Sequence, residues 1–116
     1  MAHVQQLFPT TIISAQARLK SEELGAVATH ILAMSKNEEG TVLSNYGGWH
    51  SKGNIFATDD PMFVSLKDAV TAGILSYVAN VAEFKGELRF SINAWAIVNR
   101  GLGDFQAPHN HAGSLL

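Results

Sequence analysis

The stretch ELRFSINAWAIVN, residues 87–99, constrains this chain most. Leu88, Phe90, Ile92, Ala94, Ala96 and Val98 fall on one side of an alternating pattern, and Arg89, Ser91, Asn93, Trp95, Ile97 and Asn99 on the other. Successive side chains of an extended backbone point to opposite faces, so the pattern predicts a long strand with one face against a core. Such a strand cannot satisfy its own backbone N–H and C=O groups or cover its own apolar face. The rest of the chain has to provide a pairing partner and a packed layer.

The flanking segments are read by the same logic. VQQLFPTTIIS, from Val4 to Ser14, is β-branched and apolar with Pro9 inside, which predicts a first strand at a sheet edge because proline donates nothing to a central ladder. From Ser21, Leu24, Val27, Ile31 and Met34 recur at helical spacing, Glu22 and Glu23 suit the positive helix start, and Asn37 to Gly40 supply a stop. LSNYGGWHSKGNIF, residues 43–56, reads as a loop or broken strand around its Gly-Gly pair. Asp60-Pro61 is a helix start with an acidic cap and proline in the first turn. Phe63, Leu66, Val70, Tyr77, Val78 and Val81 form its apolar stripe, and Gly86 is expected to end it. RGLGD, residues 100–104, makes a turn, and FQAPHNH returns as the second arm of a hairpin.

The length of 116 residues and 47% hydrophobic content predict one domain, 1–116, with a real core. Eight basic residues against ten acidic ones are scattered and give a charge of -2, so no nucleic-acid partner is expected. The chain has no cysteine, which leaves His, Asp and Glu as the usual metal ligands. No signal-like leader and no continuous apolar run of membrane-spanning length is evident, so the expectation is a cytoplasmic protein without a membrane partner.

His109 and His111 are the residues that point to chemistry. Two apart in an extended segment, they project to the same side, with α-carbons roughly 6–7 Å apart, close enough for both rings to meet one metal ion. A solvated surface pair is the competing reading. His30 is expected to be a polar residue on its helix and no ligand, and His50 after GGW is ambiguous. Gly103, His109 and His111 match the cupin spacing, but the glutamate that pattern needs is replaced by Leu115 and Leu116. The letters HNH do not make a nuclease of that name, whose residues lie far apart in sequence.

LFPTTI, SNYGGWHS and NAWAIVNRGLGDFQAPHNHAGS together resemble the 2-oxoglutarate/Fe(II)-dependent oxygenases of marine bacteria and their phages, in which a comparable strand leads through a glycine turn to H-x-H and a following serine. The resemblance implies an α+β chain forming the N-terminal portion of a double-stranded β-helix, a jelly roll, with two helices packed on the larger sheet. It implies Fe(II) and 2-oxoglutarate as cofactors, His109 as the first metal ligand, and His111 where relatives place an aspartate. His111 then either binds iron as part of a three-histidine set or stands behind it while a later residue binds. No catalytic residue beyond the metal ligands is implied.

Asn99 matches a position that contacts 2-oxoglutarate, although the tyrosine expected two residues on is Gly101; closing the strand against the RGLG turn is its alternative role. Trp95, on the same face, is a candidate pocket wall, and SNYGGWHS is expected to be a tight packing segment. The function expected is hydroxylation of an unidentified small-molecule or peptidyl substrate, with an incomplete site in these 116 residues. The alternative is a non-catalytic metal-binding or assembly module of cupin-like fold, self-associating through open sheet edges.

Overall fold

The computed structural model describes residues 12–82 and 84–114, and among them the fold is mixed α+β, two helices with four short antiparallel strands. The strand expected over Val4–Ser14 falls mostly outside these residues, and Ile12, Ile13 and Ser14 are exposed and in no strand.

Helix α1, Ser21–Asn37, has the predicted bounds. The Glu23 carboxylate reaches back to accept the Lys20 backbone N–H at 2.9 Å, satisfying one of the free donors of the first turn. Val27 is buried, Ile31 and Met34 pack beside it, and Leu24 lies outside the contact. The second helix starts where Asp60-Pro61 predicts, through a 3-10 turn at Pro61–Phe63 whose Met62 N–H is capped by Asp60 Oδ1 at 2.9 Å. Helix α2, Val64–Asn80, follows and stops before Gly86, the predicted end; the Val81 N–H closes the last turn onto the Tyr77 carbonyl. Phe63 is buried and Leu66 packs on the core, but no residue of α2 itself is buried. The span Pro61–Asn80 is long and apolar enough to cross a membrane by length and composition alone. It is not a continuous apolar run in the sequence, because Lys67 and Asp68 interrupt it.

The four strands form one bent, two-stranded ribbon. Strand β1, Asn45–Tyr46, pairs with β4, Phe105–Gln106, and β2, Trp49–His50, pairs with β3, Ile97–Val98. Gly47 and Gly48 alone span the gap that residues 99–104 fill on the other arm. The predicted hairpin between the 87–99 strand and FQAPHNH is therefore replaced: RGLGD bulges outward, and both arms pair with the 45–50 segment.

The long strand is also corrected, to Ile97–Val98 as regular ladder. Upstream, residues 92–96 keep the predicted alternation, with Ala96 buried and Ile92 and Ala94 partly buried while Asn93 and Trp95 point outward. Their partner segment turns away after Ser51, and side chains take over from the ladder. Ser51 Oγ accepts the Ala96 N–H at 3.0 Å, Asn54 Oδ1 accepts the Ala94 N–H at 2.9 Å, and Asn54 Nδ2 donates to the Ile92 carbonyl at 2.8 Å. Backbone pairing survives at intervals, from the Ser51 N–H to the Ala96 carbonyl and from the Ile55 N–H to the Ala94 carbonyl, both 2.9 Å.

The core lies between α1, the first turn leading into α2 and the inner face of the ribbon, and is built of Val27, Trp49, Ile55, Phe56, Phe63, Ala96 and Val98. The Trp49 indole N–H donates to the Glu38 carbonyl at 3.0 Å, which ties the end of α1 to β2. Around this small core the molecule is open. Its radius of gyration is 17.6 Å, where a compact domain of this length has about 13 Å.

Candidate metal centre

The ribbon ends by delivering the histidine segment. After β4 the Ala107 N–H donates to the Ser44 carbonyl at 2.7 Å, extending the pairing by one residue, and Pro108 then favours an extended backbone at Ala107. Beyond His109 and His111 the chain turns, with the Ser114 N–H on the His111 carbonyl at 3.0 Å. Both histidines are exposed, and their Nε2 atoms converge to 3.1 Å, with ring centroids 4.9 Å apart. The separation is that of an N–H···N hydrogen bond, and it is also compatible with two imidazoles at right angles on one six-coordinate ion at about 2.1 Å, which sit about 3.0 Å apart.

Hydrogen bonding assigns the tautomers. His109 Nδ1 lies 2.7 Å from the Ala107 carbonyl, which can only accept, so Nδ1 carries the proton. The neutral ring then has its lone pair on Nε2, which accepts the Nε2–H of His111. A backbone carbonyl on Nδ1 with Nε2 free is the arrangement commonly found for a metal-binding histidine, because it fixes both tautomer and ring direction. His111 has to move its proton to Nδ1 before its Nε2 can bind an ion. Among the described residues no third His, Asp or Glu completes a metal-binding group with the pair.

Trp95 stands beside His111, ring centroids 6.0 Å apart, and on its other side is His50 at 6.4 Å. His50 is paired with Ile97, and paired residues of an antiparallel ladder share a face, so His50, Ile97 and Trp95 all belong to the ribbon's outer face. His50 is nevertheless buried there, its Nδ1 donating to the Ser51 carbonyl at 2.8 Å. His50 and His111 thus each lie near the Trp95 indole, while only His109 and His111 converge on a common point.

Asn99 falls at the glycine turn. A Cβ on Gly48 would lie 2.6 Å from Asn99 Oδ1 and 2.8 Å from the Val98 carbonyl, and one on Gly47 would lie 2.1 Å from Asp104 Oδ1; both glycines have positive φ. The expectation of tight packing in SNYGGWHS holds for this pair, since only glycine combines that backbone conformation with that proximity. The Asp104 carboxylate accepts the Arg100 N–H at 2.7 Å and the Gly101 N–H at 2.9 Å. Those two donors, with a smaller contribution from the Gly48 N–H, hold its pKa below the ordinary aspartate value against the opposing effect of burial. Asn99 therefore sits as a turn-packing residue, and the guanidinium of the adjacent Arg100 donates to Ser35 Oγ on α1.

His30 is no part of this group. Its Nε2 lies 2.6 Å from Asp60 Oδ2 and its ring meets Phe63 edge-on, so it ties α1 to the cap of the second helix. The Asp60 pKa is lowered by the Met62 N–H first and by His30 after that. His30 and Asp60 are each legible in the sequence but their pairing is not, because they stand thirty positions apart. Ser51, Asn54 and Asp104 were not singled out either; Asp104, closing a glycine-rich turn, had the clearest local signal. Comparison with models of known families, with characterised proteins and with solved structures finds no match for this chain.

Proposed function

We propose that the chain binds a divalent metal through His109 and His111, and that it does so as the N-terminal portion of an Fe(II)/2-oxoglutarate-dependent oxygenase of double-stranded β-helix type. The observation that carries the metal reading is the 3.1 Å convergence of the two Nε2 atoms, with His109 already held in the metal-binding tautomer. The sequence resemblance supplies the oxygenase class. Bound iron would supply the oxidising chemistry, coupled to decarboxylation of 2-oxoglutarate and leading to hydroxylation of the substrate. The chain's own contribution is positional: the Ala107 carbonyl orients His109, and Trp95 walls one side of His111. The donor set suits an imidazole-binding ion, and Asn99 is the residue proposed to contact 2-oxoglutarate.

The second reading, a non-catalytic metal-binding or assembly module, is favoured by the open shape and by a helix α2 that buries none of its residues. Anaerobic titration with Fe(II) tests the shared premise. His109→Ala is expected to lower affinity at least tenfold, about the least that even outer supporting residues contribute, and equal binding by the variant removes His109 as a ligand. Succinate formation from 2-oxoglutarate separates the readings when assayed in a longer, iron-loaded protein that contains this chain: turnover there supports the oxygenase, and iron binding without turnover there supports the module.

A further inference from the structure

Two exposed imidazoles that converge on one point make half of a coordination set. Zinc in a structural site takes four protein ligands, and a two-ligand surface pair leaves the rest of the ion to water. Among the described residues nothing completes the set, and the chain has no cysteine to do so. The missing half is two more nitrogen ligands in the same geometry, which the pair itself provides when a second copy meets it across a two-fold axis. A two-fold contact uses the same patch on both subunits, so a half-site exposed on one face is self-complementary.

The surroundings suit such a contact. Trp95, 40% exposed, adjoins His111, and Ile97, exposed at 43%, shares its face. Tyr46 and Phe105, stacked at 4.8 Å and at least half exposed, lie on the strand pair that leads into the histidine segment. Aromatic side chains of this kind give a protein contact its largest area for the least loss of conformational freedom. No lysine or arginine follows Arg100 in the sequence, so a cation near His109 and His111 meets no nearby positive charge from that segment.

We infer that two copies of this chain assemble around a shared divalent ion held by His109 and His111 of each, four imidazoles in all. This rests on the metal reading of the pair. Four nitrogens complete a tetrahedral zinc set or leave two positions open on a six-coordinate ion, so the assembly is compatible with either function above.

The test is sedimentation equilibrium of the 116-residue chain with Zn(II) and with EDTA, alongside calorimetric stoichiometry. The expected result is one zinc per two chains, with dimer dissociation tightened at least tenfold by zinc and the effect reversed by EDTA. His109→Ala and His111→Ala should each abolish the zinc-dependent shift. Among the described residues their side chains hydrogen-bond to each other and to the Ala107 carbonyl alone, so the variants should keep the wild-type thermal transition. Zinc bound one per chain to a monomer overturns this inference and leaves the metal reading standing. A wild-type chain that binds no zinc overturns both. A dimer that is equally strong in EDTA or in the alanine variants also overturns it, because the contact then owes nothing to the ion.

Discussion

The two strand pairs of the ribbon have the same length and direction but opposite surroundings. In β2–β3, Trp49, His50 and Val98 are buried; in β1–β4, Tyr46 and Phe105 stack on each other in solvent. The first pair is closed by α1 on its inner face, while Ile97 and the neighbouring Trp95 stay partly exposed on its outer face. The second reaches past the helices and carries the histidine segment. The contrast separates what holds the molecule together from what it presents. One ribbon serves both, because the glycine turn and the Asp104-closed bulge separate the two pairs.

The largest break is expected at the buried pair. Trp49→Ala removes an indole from the core and its bond to the Glu38 carbonyl, and should cost about 3–5 kcal/mol in chemical denaturation, enough to unfold a small domain. A loss as small as that for the exposed pair would refute the division. Gly48→Ala acts at the joint. Its positive φ, and carbonyl and amide oxygens inside Cβ contact distance, predict a loss of about 1–3 kcal/mol, with the β1–β4 signals disturbed more than those of β2–β3 in amide NMR spectra.

Acid should act at the same joint from the other side. Asp104 has a lowered pKa in the folded chain, so its contribution is fully present above the ordinary aspartate value and is lost as pH falls through the lower, folded one. The Arg100 and Gly101 amide resonances should therefore report the loosening of the bulge only below about pH 4, and Asp104→Asn should flatten that dependence. A midpoint near neutrality would show that another group controls the turn. The smallest effect belongs to the exposed pair: Phe105→Ala removes one stacked ring in solvent and should cost about 1 kcal/mol or less. A larger loss in EDTA would mean that β1–β4 is covered without the ion, whereas zinc, by forming the dimer, should widen the difference between wild type and variant.

Much of what the sequence determined is local. The bounds of α1, the Asp60-Pro61 start, the alternation over residues 92–98 and the glycine-bearing turns follow from periodicity, capping and backbone preference, which act within a few residues. The shared direction of His109 and His111 belongs with them, since two residues of extended chain place both rings together. Gly86 misled because a favourable stop is only an opportunity: α2 ends at Asn80, once the stripe has left the core behind.

Tertiary structure decided the rest. The alternation at 87–99 showed which face turns inward but not which groups would satisfy the backbone, and Ser51 and Asn54 took that role from some 40 residues away. The hairpin expected across RGLGD gave way to β1–β4, and Gly47 and Gly48 admit the close approach of Val98, Asn99 and Asp104 from the other arm. Pairing between distant segments depends on the closure of long loops and on the shape of the surfaces that meet, and neither is encoded in any short window of residues.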